Sequence, residues 1–415
     1  MIEEAQKKSA IRFILMTVFA YSMGFGIIMP VLPELIIELE GVSLSEATFI
    51  GGLIAASYAF FQFLMGPFVG NLGDRFGRRP VFLLSLAGFS VDFFLMGFAP
   101  SIVWLFVGRS IAGALGAIFG PANAAMADIS SGEDRAKGFG LVGAAFGIGF
   151  IVGPALGGFL GEFGTRVPFF VAAGIAALVF CYGWFAFPET MDKGARRDFS
   201  FKRANPIGAL LSIKKLPGVL GISSIYFMWV ITANIYPASW AYFAPLRFGW
   251  DSKMVGVSLT LVGFSMVFVQ VVVLGRMVRR FGERITALIA MSVSLCAMVF
   301  YIFGSNGNVA LMICLFVGIQ SMVMPSVNAM MSRRTPIDQQ GELQGFNGSL
   351  SALAALIAPL IYNTSLSYFT SPDAPMQFVG APFVLSVSLG LIALTMLMLV
   401  KPAGLIVHKP RPEVS

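Results

Sequence analysis

Apolar runs of about twenty residues, long enough to cross a hydrocarbon core of about 30 Å as helices, recur along nearly all of the 415-residue sequence. Read between charge clusters, they fall near residues 11–39, 47–69, 81–98, 102–126, 139–161 and 168–187, then 218–245, 254–274, 285–303, 309–331, 345–368 and 378–400. A closed β-barrel needs short segments of alternating polarity, whereas these runs are apolar on every face, so their backbone must be satisfied within helices. The expectation is an all-α integral membrane protein of twelve transmembrane helices. Composition agrees, with 57% hydrophobic and 12% charged residues against about a quarter charged in soluble domains. The first run is too long for a signal peptide and is expected to remain as the first helix.

The 28 lysines and arginines divide the loops into two sets. One set holds Lys7, Lys8, Arg12, the Arg75–Arg79 cluster, Arg135, Lys137, a stretch from Lys193 to Lys215, the Arg276–Arg284 cluster, Arg333, Arg334 and the tail cations. The opposite loops hold Arg166, Arg247 and Lys253 beside Glu34, Glu38, Glu40, Glu46, Asp251 and Asp373. The positive-inside rule then places both termini in the cytoplasm. Cations in short loops beside membrane spans can meet anionic lipid, so the basic balance calls for no nucleic-acid partner. Cys181, Cys296 and Cys314 lie inside apolar spans without metal-ligand spacing and read as packing residues; no metal or other cofactor is implied. The only histidine, His408, is in the tail, so no histidine proton relay is available.

The longest polar stretch separates spans six and seven. The chain is therefore divided into a first six-helix bundle (1–188), a linker (189–216), a second bundle (217–401) and a tail (402–415). A shift of 205 residues lays Gly70, Arg75, Phe76 and Gly77 on Gly275, Arg280, Phe281 and Gly282, which points to an internal repeat.

Between spans two and three stands GNLGDRFGRRP, residues 70–80, in which glycines permit a tight turn and Asp74 can cap a helix or pair with Arg75, Arg78 or Arg79. By itself it also reads as an ordinary basic loop. In span four, Arg109 lies about 12 Å into the membrane, and in span three Asp92 lies about 18 Å from the basic edge, at compatible depth. Charges at such depth cost roughly 2.5–3.5 kcal/mol and need a reason, either cargo and protons or a structural ion pair. In span five, Gly149, Gly153, Gly157 and Gly161 are four apart on one face, and Pro154 removes a backbone donor there. That pattern suits a pivot or plain close packing. Gln62, Asn123, Asn234, Gln270, Gln320, Asn328 and Asn347 are the uncharged polar candidates for a cavity lining.

The Gly70–Arg79 arrangement resembles the loop signature of the major facilitator superfamily, and Gly153, Pro154, Gly157 and Gly158 resemble the fifth-helix motif of its proton-coupled drug exporters. The sequence resembles the tetracycline-resistance efflux proteins more closely still, through MGFGIIMPVLP (23–33), GDRFGRRPVFLLSL (73–86), PFF (168–170), RFGW (247–250) and QGELQG (340–345). The resemblance implies two six-helix bundles related by a pseudo-twofold axis, a bacterial inner-membrane location, a monomer, and a small-molecule cargo exchanged for protons. It implies a transport role for Asp92, a gating role for Asp74, and matches Arg109 to a fourth-helix arginine. Two intramembrane carboxylates of that family fall on Tyr21 and Ser294 here, which leaves both the chelated-drug cargo and proton coupling open. The expectation is a secondary transporter, not an enzyme, that exports a hydrophobic or amphipathic molecule through a path including Tyr21, Asp92 and Arg109; the alternative is an importer or uniporter of a nutrient, siderophore or peptide fragment. Glu34 reads as a solvated group near the outer end of helix one.

Overall fold

The computed structural model describes residues 4–400 apart from 117, 131–133, 193, 195, 201–204, 207, 209–218 and 337–338. Most of the expected linker, the tail and His408 lie outside the described residues. The first half contains α1 (Glu4–Glu40), α2 (Leu44–Phe76), α3 (Arg78–Gly97), α4 (Ile102–Leu115), α5 (Phe119–Ile129), α6 (Asp134–Gly161) and α7 (Val167–Ala186). The second contains α8 (Leu220–Ala233), α9 (Ile235–Phe248), α10 (Ser252–Phe268), α11 (Leu274–Phe303), α12 (Gly307–Val317), α13 (Val323–Ser332), α14 (Gln340–Thr370) and α15 (Ala381–Leu399). A π-helical segment, Val269–Val273, joins α10 to α11, and a 3₁₀ segment, Gly318–Met322, joins α12 to α13.

Among the described residues, ten helical stretches are long and apolar enough to cross a membrane. One of them, Ser252–Phe303, has 52 residues, about 78 Å of helix, far more than one crossing needs. Its backbone leaves helical geometry at Gly282 (φ 74°, ψ 168°), which divides it into two. Helices α8 and α9 abut at Asn234 and supply one more crossing, giving the expected twelve. The helices overrun the apolar runs at several ends, as α2 does by continuing to Phe76.

Within the first half, α1 packs on α6 and α7, α2 on α4, and α3 on α4 and α7; within the second, α8 packs on α14 and α15, α10 on α12, and α11 on α13 and α15. The halves meet along two seams, α2 with α14 and α6 with α10. Bonds that cross between halves gather at the end opposite the basic loops. Ser45 Oγ donates to the Ser367 carbonyl at 2.8 Å, the Ser252 hydroxyl donates to Glu34, and Lys253 Nζ donates to Glu162 at 2.9 Å. Glu34 is therefore half-buried and engaged across the seam, a correction to the solvated group expected from sequence. At the basic end, a side chain added at Gly70, Gly140, Gly143, Gly341, Gly345 or Gly348 would meet open space.

The repeat is visible in atomic detail. Gly77 and Gly282, 205 residues apart, share the same rare backbone, with φ of 102° and 74°, a conformation that favours glycine. The preceding arginines sit alike, the Arg75 guanidinium 5.2 Å from the centre of the Phe76 ring and that of Arg280 5.3 Å from Phe281. Arg78 pairs with Asp128 at 3.2 Å, and the residues 205 further on, Glu283 and Arg333, pair at 2.5 Å with the signs exchanged. Arg79 donates to the Trp184 carbonyl at the end of α7, and Arg284 to the Met398 carbonyl at the end of α15, both at 2.6 Å.

The exchange of signs makes a direct test possible. Glu283→Arg is expected to lower thermal stability in detergent by about 1 kcal/mol, because Arg333 is well exposed and such pairs are weak. Adding Arg333→Glu is expected to restore it, and a double variant no better than the single one would show that the pair's charge is not what matters.

Of the cysteines, Cys314 is buried beside Tyr301 whereas Cys181 and Cys296 are exposed, so packing accounts for only the first.

Candidate substrate chamber

Between the halves lies a cavity of about 360 Å³. The first half contributes Tyr21, Phe25, Tyr58, Gln62 and Arg109, together with Phe119 and Phe146. The second contributes Asn234, Tyr236, Tyr242, Leu259, Ala355 and Pro359. The wall is mainly apolar and aromatic, and Arg109 is its only charged residue among those described.

Arg109 is held from behind. Asp92 on α3 is fully buried and Arg109 on α4 is 4% exposed. Arg109 Nε donates to Asp92 Oδ1 at 3.1 Å, and Nη2 engages the other carboxylate oxygen. Gly108 makes this possible, because a β-carbon there would lie 2.7 Å from Asp92 Oδ1. The guanidinium also sits 5.4 Å from the Tyr58 ring centre and 5.6 Å from that of Phe93, favourable cation–π distances. A cation and an anion removed from water are tolerable in such a bidentate arrangement. Sequence depth alone had aligned the two residues; the structure puts Asp92 behind the arginine instead of in the cavity wall.

Tyr21 replaces an expected carboxylate with a hydroxyl. Its ring stacks on Phe89 at 4.5 Å, and its hydroxyl shares a hydrogen bond with that of Tyr58, which also accepts from Gln62 Nε2 at 3.1 Å. Ser294, at the other replaced position, is buried and turns its hydroxyl to the Ala290 carbonyl of its own helix. It is a packing residue.

Of the polar candidates, Gln62 and Asn234 reach the cavity; Asn234 stands where α8 gives way to α9 and donates to the Val230 carbonyl at 2.7 Å. Asn123, Gln270, Gln320, Asn328 and Asn347 are not in its wall. Asn123 is exposed, as is Gln270 in the π-helical segment, and Gln320 is buried in the 3₁₀ segment. Asn347 Nδ2 donates to Asn328 Oδ1 at 2.7 Å, and Tyr226 and Ser351 hydroxyls meet nearby in sequence at 2.9 Å; these bonds join helices α13 and α14, and α8 and α14. Tyr58, Tyr236 and Tyr242 are lining residues that sequence reading missed. The available signal was the four-residue spacing of Tyr58 and Gln62 on one face of α2.

Two motifs frame the chamber. In the loop motif, Arg78 Nη1 donates to Asp74 at 2.9 Å, and the backbone N–H groups of Arg78 and Arg79 donate to Glu189 at 2.8 and 3.2 Å. Gly77 leaves room for that carboxylate, since any side chain there would collide with it. In α6, side chains at Gly149, Gly153 and Gly157 would strike the α1 backbone around Phe19, Met23 and Ile27, while Gly158 abuts Ser252, Lys253 and Gly256 of α10. Pro154 lies between Gly26 of α1 and Gly256 of α10. One glycine-rich helix thus touches its own half on one face and the other half on the next.

These features agree with what known proteins share with this chain. The Major Facilitator Superfamily model matches residues 14–359. The class C tetracycline resistance protein of Escherichia coli is 36% identical over 86% of this chain and 89% of its own length. Multidrug resistance protein 2 of Bacillus subtilis (strain 168) is 29% identical over 93% and 95%. Among solved structures, the human organic anion transporter MFSD10 (TETRAN) superposes with a TM-score of 0.72 at 21% identity, covering 94% of this chain and 99% of that one. A central chamber between paired helical halves, a glycine-rich fifth crossing and this extent of shared sequence lead to one conclusion: the chain belongs to the major facilitator superfamily and is a membrane transporter, not an enzyme, related to the bacterial tetracycline-resistance proteins.

Proposed function

We propose that this protein exports a hydrophobic or amphipathic small molecule across the bacterial inner membrane in exchange for protons, as a monomer with both termini cytoplasmic. Residues 1–188 and 217–401 act as two halves joined by the linker 189–216, and they rock about the α2–α14 and α6–α10 seams. The observation that carries this reading is the aromatic cavity at the junction of the halves with Arg109 in its wall and Asp92 held behind it. Cargo that draws the guanidinium forward frees the carboxylate to take a proton, since a carboxylate stays ionised beside a cation and not in an apolar site without one. Bonds between the halves at the end opposite the basic loops suit a state closed to the outside and accessible from the cytoplasm. Gln62, Asn234 and Tyr21 contribute hydrogen bonds to cargo, and the loop of Gly70, Asp74, Arg75, Gly77, Arg78 and Arg79 steadies the first half during the swing.

A second reading, a proton-independent importer or uniporter, is favoured by the Tyr21–Tyr58 hydroxyl pair, which carries no exchangeable charge at neutral pH. Proteoliposomes separate the two. An imposed pH gradient is expected to raise cargo movement at least tenfold over the same vesicles without one; movement indifferent to the gradient leaves only the second reading.

A further inference from the structure

Resting on the transport reading above, we propose that the cargo is an uncharged or anionic aromatic molecule carrying a hydrogen-bond acceptor, and that cations, including positively charged metal chelates, are excluded.

A cargo in the cavity meets the Arg109 guanidinium directly, whereas the Asp92 carboxylate is fully buried on the far side of it. Nε and Nη2 are engaged with that carboxylate. The third guanidinium nitrogen, Nη1, carries two hydrogens and is left for an acceptor on the cargo. The remaining polar groups of the wall are hydroxyls and amides. Tyr21, Tyr58 and Gln62 form one hydrogen-bonded chain, and Asn234 spends its amide nitrogen on Val230, which leaves no carboxylate among the described lining residues to neutralise a cation. In a cavity walled by aromatic rings, water screens the repulsion between a cationic cargo and Arg109 less than it would in bulk. The rings of Phe25, Tyr58, Phe119 and Phe146 on one side and Tyr236 and Tyr242 on the other suit a flat apolar body. Of the rings that could draw in a cation, Tyr58 already lends its face to the Arg109 guanidinium.

The test uses three probes on one scaffold, 2-naphthylacetate, 2-naphthylacetamide and (2-naphthylmethyl)trimethylammonium, with binding to the purified full-length protein followed by equilibrium dialysis. The carboxylate and the amide are expected to bind at least tenfold more tightly than the ammonium. The double variant Asp92→Asn/Arg109→Gln, which removes both charges together and so leaves no orphaned ion, is expected to abolish the advantage of the carboxylate and the amide over the ammonium. The proposal is overturned by ammonium binding as tight as carboxylate binding, by the same order of affinities in the double variant, or by no binding of any probe at millimolar concentration. Because binding is read without a gradient, failure here leaves the proton-exchange reading untouched, and failure of the pH-gradient experiment leaves this one untouched.

Discussion

Asp92→Asn is expected to destabilise the protein by about 3–5 kcal/mol, the cost of leaving one partner of a buried ion pair uncompensated. The double variant Asp92→Asn/Arg109→Gln is expected to recover most of that loss. The carboxylate is fully buried and serves the guanidinium side-on through two nitrogens. Without it, the cation keeps only the ring faces of Tyr58 and Phe93. Neutral amides at both positions present no such debt. Thermal unfolding in detergent of the wild type, both single variants and the double variant gives the coupling energy of the pair directly. Equal stability of wild type and Asp92→Asn would mean that Arg109 finds its compensation elsewhere, in the cavity or in lipid.

Gly158→Leu is expected to reduce transport at least tenfold while the protein still folds. A β-carbon at Gly158 would lie 2.8 Å from the Ser252 carbonyl oxygen and 3.1 Å from the Lys253 α-carbon. Those are backbone atoms, which cannot rotate aside. The obstruction falls between halves, at the end where Glu34 meets Ser252 and Glu162 meets Lys253, so it keeps that end from closing. One residue earlier, on the adjoining face of the same helix, Gly157 faces Ile27 of α1 inside the first half. Gly157→Leu is therefore expected to lose about 1–3 kcal/mol or more of stability, the usual cost of overpacking. Labelling of Asn234→Cys by a membrane-impermeant maleimide from the outer side, in a background without the exposed Cys181 and Cys296, reads out the opening. Labelling should rise in Gly158→Leu and not in wild type; unchanged labelling would place the defect somewhere other than the seam.

Helix breaks were not legible in the sequence. Hydropathy runs smoothly through 102–129, 220–248 and 307–332, yet each of those crossings is interrupted, at Gly116, at Asn234 and over Gly318–Met322. A local loss of i−4 hydrogen bonds leaves no mark on apolar content. The turn at Gly282 was legible through its partner at Gly77, because a glycine repeated in a fixed context marks a backbone that other residues resist. The charge exchange between Arg78–Asp128 and Glu283–Arg333 was also present in the spacing, but it could be recognised only once the pairs were known to touch.

By itself the sequence determined how many times the chain crosses a membrane, that it is duplicated, that one acid and one base lie at matching depth, and that the fifth crossing carries a close-packing face. All of these follow from length, hydropathy and spacing along a single helix. Only the tertiary structure decided that Gln62 and Asn234 face the cavity while Asn123, Gln270, Gln320, Asn328 and Asn347 do not, that Asp92 stands behind Arg109, and that Glu34 crosses to Ser252. In helices that are apolar all round, no stripe declares which face turns inward. That rotation is set by how neighbouring helices fit, here by glycines such as Gly108 and Gly158 that bring particular pairs together.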